Sequence, residues 1–395
     1  MFLIPLLLGQ DAQVRARFHR SHLMSSRRHV LKQLAALGAL VGLGTLPRAK
    51  AAATVASPAE ASFYMPEEST FQTRVWVAFA ASEAIWGSDY KEVQAPIGRL
   101  VQAMVPYTQV NVLCREAEQA LARQLCGEQN TRFVIAELDD IWLRDTGGVF
   151  VQNEEGELGL VDFNFNGWGD KQEHEQDAGV AELVSQQAKV RYLQSKLTGE
   201  GGGIEVDGNG TAILTESCWL NSNRNPGVSK AQLEAELKAN LGLRKIIWLP
   251  GIKGKDITDA HVDFYARFVR TGVVVVNLDN DPQSHDYEVT RRHLAILKQA
   301  TDADGNKLEL HVLPPPLDGR DNRFSRSRDF AAGYINYLPI NGAVIAPEFG
   351  DKAADSYCHE LLARLYPGRE IVQINIDPVA AGGGGIHCIT LHQPA

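Results

Sequence analysis

Cysteine is scarce: five in 395 residues, at Cys114, Cys126, Cys218, Cys358 and Cys388. An odd number without regular spacing excludes a disulfide framework. There is no CxxC, no HExxH and no Cys/His cluster, which argues against a structural zinc site. Asp302-Ala-Asp304-Gly lacks the further ligands of a calcium loop. The glycine-rich runs 199–203 and 382–385 lack both the Gly-Lys-Ser/Thr of a phosphate loop and the GxGxxG spacing. Beyond about residue 50 no apolar run reaches the ~18 residues that a membrane span needs. Basic residues are also short in the body of the chain. Residues 1–53 hold eight of the 39 Lys+Arg and one of the 48 Asp+Glu, so the remainder carries 31 against 47, a net of −16. So acidic a body is a poor nucleic-acid binder and is better matched to small cations.

The N-terminus reads as an address. Ser26-Arg27-Arg28-His29-Val30-Leu31-Lys32 is followed by an apolar stretch from Leu34 to Leu46, then Pro47 and small residues. That is the basic, apolar, small-residue order of a signal peptide. The paired arginines resemble a twin-arginine export signal. Met24 would start a signal of normal length. The expectation is a removable region, 1–53, and one domain, 54–395, exported to the periplasm or beyond. The cysteines agree, because a chain exported folded cannot depend on disulfides made outside.

The body repeats. A Gly-containing turn precedes a β-rich run at Gly147, Gly210, Gly272 and Gly342, which are 63, 62 and 70 residues apart. Arg74–Phe79 is a further short strand run one unit upstream. Helical patterns lie between. Ser229–Leu241 has Leu233, Leu237 and Leu241 four apart behind a Ser that can cap. Tyr287–Ala300 and Ala354–Leu365 read similarly. About five units of roughly 65 residues, each mixing strands and a helix, predict an α/β protein of radial or stacked design.

Unusual polar residues gather before these runs: Asp140-Ile-Trp142-Leu-Arg144-Asp145, Glu200 among glycines, Asp259-Ala-His261-Val-Asp263, and Gly382–Gly385 followed by Ile386-His387-Cys388. In a strand, residues two apart share a face, so Asp259, His261 and Asp263 are expected to align. By the same rule His387 should point away from Cys388, and it receives no role. Cys, His and carboxylates together suggest thiolate catalysis. Two extra aspartates and a Trp suit a planar cation such as a guanidinium, held edge-on by carboxylates and covered by the indole.

Trp142-Leu-Arg-Asp145-Thr-Gly, Glu200-Gly-Gly, Asp259-Ala-His261-Val-Asp263 and Gly383-Gly-Gly-Ile-His-Cys388 resemble the agmatine deiminase family, grouped with the bacterial peptidylarginine deiminases in the guanidine-modifying pentein superfamily. The resemblance spans residues 60–395 and includes Asp281-Pro-Gln and Tyr334-Ile-Asn336. It implies a five-fold pseudosymmetric α/β-propeller (pentein) of ββαβ units. It implies that Cys388 attacks the guanidinium carbon, that Asp145 and Asp263 hold the guanidinium nitrogens, and that His261 protonates departing ammonia and then activates water. It further implies that Glu200 orients or charges His261 and that Trp142 lines the pocket. Agmatine would give N-carbamoylputrescine, with no metal or organic cofactor. The expected partner is a small cationic guanidine, with no nucleic acid, no membrane after signal removal, and a homo-oligomer left open.

Two positions depart from the family pattern: Gly148 stands where Pro is usual, and His392 falls in a stretch that often carries Gln. Export also departs from cytoplasmic polyamine synthesis and raises an alternative, deimination of peptidyl or C-terminal arginine. That would need a cation for the substrate carboxylate, with Arg144 and Arg267 the nearest in sequence. An amidinotransferase would use the same intermediate with an amine acceptor. A propeller used only for binding would not need Cys388 and His261.

Overall fold

The computed structural model describes residues 63–395. The expected signal region and the expected boundary at 53/54 lie outside them. Sixteen strands form five small mixed sheets among the described residues. Three strands, β4 (Val149–Gln152), β5 (Leu158–Asp162) and β6 (Arg191–Gln194), make the first in chain order. The next holds β7 (Glu205–Val206), β8 (Thr211–Thr215) and β9 (Lys245–Leu249). A third holds β10 (Ala266–Arg270), β11 (Val273–Val276) and β12 (Glu309–Val312). A fourth holds β13 (Leu338–Ile340), β14 (Ala343–Glu348) and β15 (Glu370–Asn375).

All four share one connection order. The first two strands pair antiparallel and the third joins parallel to the second. A parallel partner requires a crossover, and each is a helix: Val180–Ala188, Lys230–Leu241, Tyr287–Gln299 and Lys352–Leu365. The fifth sheet joins the two ends of the described chain. Its strands are β1 (Gln72–Phe79), β2 (Gln109–Cys114), β3 (Thr131–Ile135) and β16 (Thr390–Pro394), in the order β16-β1-β2-β3. Here β16 pairs antiparallel with β1, and β2 follows parallel after the helix Tyr90–Met104.

Local chemistry accounts for these elements. Val273–Val276 is buried throughout, as four β-branched residues in a covered strand should be. Ser229 caps the helix Lys230–Leu241 in a capping box with Gln232, and Gly242 ends it in the left-handed region at φ 66°. Leu233, Leu237 and Leu241 form its buried face. Gly210, Gly272 and Gly342 turn the hairpins at φ 83°, 77° and 75°. The expected anchor Gly147 has a different place. It precedes the first strand of its hairpin, and its counterpart in the turn is Gly156, at φ 80°. Among the described residues, no helix is long and apolar enough to cross a membrane.

Candidate active site

The loop that enters each hairpin carries the polar residues. Asp145 lies just before β4, Glu200 and Gly201–Gly203 before β7, His261 and Asp263 before β10, Asn336 before β13 and Cys388 before β16. One position in the repeated unit thus supplies the whole site. Cys388 Sγ lies 3.6 Å from Asp263 Oδ2 and 3.4 Å from Asn336 Nδ2. Asp145 Oδ1 accepts the Gly202 amide at 3.0 Å and lies 3.7 Å from His261 Nδ1. Trp168 Nε1 donates to Asp145 Oδ2 at 2.9 Å. Trp168 holds a left-handed φ of 56°, a strained state for a bulky residue that this contact exploits. A methyl on Gly202 would stand 2.6 Å from His261 Nδ1, 2.8 Å from Asp145 Oδ1 and 3.2 Å from Asp263 Oδ2. Those three groups therefore face one small space. Asp263 Oδ1 is buried and has no hydrogen-bond partner among the described residues.

His261 Nε2 meets Glu200 Oε2 at 3.2 Å. Arg224 Nε donates to both Glu200 oxygens, at 2.8 and 2.9 Å, and Arg224 Nη1 donates to Asp259 Oδ2 at 2.9 Å. Burial alone would push the His261 imidazole down. The Asp145 carboxylate, with hydrogen bonds from the ring to Cys218 and Glu200, reverses this and holds it well above its ordinary value. Burial would raise Glu200, but the Arg224 charge and the His261 contact bring it below the usual carboxylate range. Burial, then the Asp263 and Asp145 charges, drive the Cys388 thiol well above its ordinary value.

A cavity of about 720 Å³ opens beside this cluster. Its wall includes Trp142, Phe264 next to Asp263, and Gly383 five residues before Cys388. Trp142 stacks on Trp86 at 5.8 Å, and both indole N–H groups donate to Asp140, at 2.8 and 2.6 Å. The glycine run allows this packing: a Cβ on Gly382 would strike Trp86 at 2.2 Å, and one on Gly384 would strike Trp142 at 2.2 Å. Seven aspartates line the cavity against three basic residues, which favours a cationic guest.

Comparison with known proteins agrees. Residues 64–394 match the sequence profile of the Porphyromonas-type peptidyl-arginine deiminases. The agmatine deiminase of Pseudomonas fluorescens (strain SBW25) is 36% identical over 365 residues, covering 86% of this chain and 97% of the relative. This chain belongs to the agmatine deiminase family. The solved agmatine deiminase of Enterococcus faecalis superposes with a TM-score of 0.81 at 30% identity, over 86% of this chain and 98% of the other. That of C. jejuni gives a TM-score of 0.74 at 25% identity, over 84% and 96%.

In this agmatine deiminase family member, Cys388, His261, Asp145, Asp263 and Glu200 come together and Trp142 lines the cavity. Several local expectations fail. Residues 259–263 are not a strand. Asp259 and Ala260 hold left-handed φ of 61° and 71°, and Val262–Phe264 is a single 3-10 turn. His261 and Asp263 consequently approach the site by a bend, while Asp259 turns to Arg224 and Lys171. Ile386–Ile389 is also a turn, so His387 faces inward and its Nδ1 meets Asp263 Oδ2 at 2.8 Å. Arg144 and Arg267 are buried against Glu68 and do not present a cation to a substrate carboxylate. Gly148 has φ 77° and a Cβ there would strike Leu160 at 2.4 Å, which excludes the Pro usual at this position. His392 lies 3.0 Å from Glu68, away from the cavity wall.

Sequence reasoning assigned no role to Glu68, Arg224, Trp168, His387 or Cys218. Asn336 was noticed only as part of a motif. Glu68 lies 319 positions from His387, and no spacing rule could have paired them.

Proposed function

We propose that the protein hydrolyses agmatine to N-carbamoylputrescine and ammonia through a covalent intermediate on Cys388. The observation that carries this reading is the pair of buried carboxylates beside the thiol, with Asp263 Oδ1 left without a partner. A guanidinium between Asp145 and Asp263 supplies donors to both. Its charge also offsets the two carboxylates that raise the Cys388 thiol, so binding favours transfer of the thiol proton to water. Sγ then bonds to the guanidinium carbon. His261, protonated at rest, gives its proton to the departing nitrogen, which leaves as ammonia. The neutral imidazole next takes a proton from water as the oxygen attacks the same carbon. The C–S bond breaks, the ureido product forms and the thiolate returns. Glu200, held by Arg224, fixes the ring and stabilises its charged form.

The shared ββαβ order of the five sheets and the convergence of their entry loops support a five-fold α/β-propeller, closed by β16 against β1. Agmatine is favoured over C-terminal arginine by a cavity wall in which seven aspartates outnumber Lys255, Arg323 and Arg328, and Arg144 and Arg267 are held by Glu68. The test is ureido-product formation by the full-length protein on agmatine, free arginine and a peptide ending in arginine. Turnover mainly of agmatine, abolished by Cys388→Ala, is expected. A rate mainly on the peptide would move the substrate to protein arginine.

The twin-arginine pattern at Arg27-Arg28 further supports export. Cell fractionation should place the protein in the periplasm, and Arg27→Lys/Arg28→Lys should leave it in the cytoplasm. A cytoplasmic location for both would refute the export reading.

A further inference from the structure

Glu200, Cys218 and His261 bring an oxygen, a sulfur and a nitrogen within 4.8 Å of one another, all buried. Cys218 Sγ is 3.7 Å from Glu200 Oε2, and His261 Nε2 is 3.2 Å from the same oxygen. A tetrahedral zinc, with bonds of about 2.3 Å to sulfur and about 2.0 Å to nitrogen and oxygen, has S···O edges of about 3.5 Å and N···O edges of about 3.3 Å. The three donors stand close to where a zinc ion would set them. The thiol of Cys218 forms no bond to substrate in the hydrolysis derived above; it helps hold His261 charged and points at the carboxylate that fixes the imidazole.

We propose that Glu200, Cys218 and His261 form an inhibitory zinc site, in which the ion takes His261 out of the reaction. The fourth position is left to water. Binding of the ion does not depend on the deiminase reading, whereas the inhibition rests on it. Arg224 is the chief obstacle, since it donates to both Glu200 oxygens. Two features meet it. An ionised carboxylate has lone pairs for a metal and for Arg224 together. Zinc enters with two positive charges as one proton leaves the imidazolium and one leaves the thiol, so the net charge facing Arg224 is unchanged. Bound zinc then occupies Nε2, and the ring cannot cycle between its charged and neutral forms as the hydrolysis requires.

The test uses the full-length protein with zinc and, as a spectroscopic probe, cobalt(II). Zinc should inhibit agmatine turnover reversibly, with EDTA restoring the rate. Cys218→Ala or Cys218→Ser should weaken the inhibition at least tenfold. Cobalt(II) added to the Cys388→Ser variant should give a thiolate-to-metal band in the near ultraviolet, lost when Cys218→Ser is added. Equal zinc sensitivity with and without Cys218 would overturn the proposal, as would a missing cobalt band in Cys388→Ser or one that persists without Cys218. The band needs no turnover, so a protein inactive on agmatine would sink the deiminase reading while leaving the metal site to be judged by its spectrum. Should the Cys218 variants fail to fold, a missing cobalt band in Cys388→Ser still overturns the proposal.

Discussion

The polar groups of the candidate site surround a space that a single methyl would fill. Gly202 is not in the left-handed region, so alanine is permitted by the backbone, yet its Cβ would press on His261, Asp145 and Asp263 together. Gly202→Ala should therefore lower kcat/KM by about 100-fold or more, since a misplacement of about 1 Å already costs that much. Its circular dichroism should match wild type, and full activity would show that these groups do not share the substrate's space. The residues that the fold brings together were largely legible in the sequence. Cys388, His261, Asp145, Asp263 and Glu200 stand among glycines and apolar residues where no surface role explains them. Their supports were not legible. Trp168 and Asn336 are ordinary residues until folding sets Trp168 on Asp145 and Asn336 on Cys388.

At the scale of elements, the entry loops must be held in register with one another, and Glu68 does this from behind. Glu68 Oε1 meets Arg144 Nη2 at 2.7 Å, His387 Nε2 at 2.9 Å and His392 Nδ1 at 3.0 Å, and Oε2 meets Arg267. Three of these partners belong to the segments of Asp145, Asp263 and Cys388. Burial would raise the Glu68 carboxyl, but His387, Arg144 and Arg267 bring it well below its ordinary value. Glu68→Gln leaves the Arg144 guanidinium buried without its anion and Arg267 with Glu205 alone. It should cost about 3–5 kcal/mol in urea unfolding, and the surviving folded protein should lose activity with the loops. A change below about 1 kcal/mol would show that the network does not bind them. Long apolar or periodic elements were readable: Arg74–Phe79, Val273–Val276 and the leucine face of Lys230–Leu241 lie where expected. The two-residue β7 and the Pro-containing β13 were not, because such strands owe their form to a partner rather than to propensity. The strand expected at 259–263 failed for a related reason. Alternation predicts a strand only where the backbone stays extended, and Asp259 and Ala260 do not.

At the scale of the whole molecule, β16 binds the last residues of the chain to β1, so the segment carrying Cys388 is anchored at the first strand of the described fold. The repeat itself was legible, but its register was not, because Gly147 and Gly156 both precede β-rich runs. Acid stability should report on a different buried group. His293 is fully buried, accepts the Gly251 amide at 3.1 Å, and packs edge-on against Tyr265 at 4.9 Å. Burial, aided by Arg292, lowers it from 6.5 to about 3. The unfolded chain takes up this proton below about pH 6.5 and the folded chain only near pH 3. Stability from this residue is therefore whole above pH 6.5 and is lost as pH falls, at about 1.4 kcal/mol per unit. Urea unfolding of wild type and His293→Gln between pH 7 and pH 5 should differ in slope by one proton. Parallel curves would place the titration elsewhere.

In the proposed reaction Cys388 carries the guanidine carbon between two half-reactions. The direct measurement is mass spectrometry of the protein quenched during turnover of agmatine, with His261→Gln included to slow the second half. The account predicts an adduct equal to agmatine less ammonia, confined to the peptide containing Cys388 and absent from Cys388→Ala. Turnover of agmatine by Cys388→Ala, or turnover by wild type with the adduct on another residue, would contradict it.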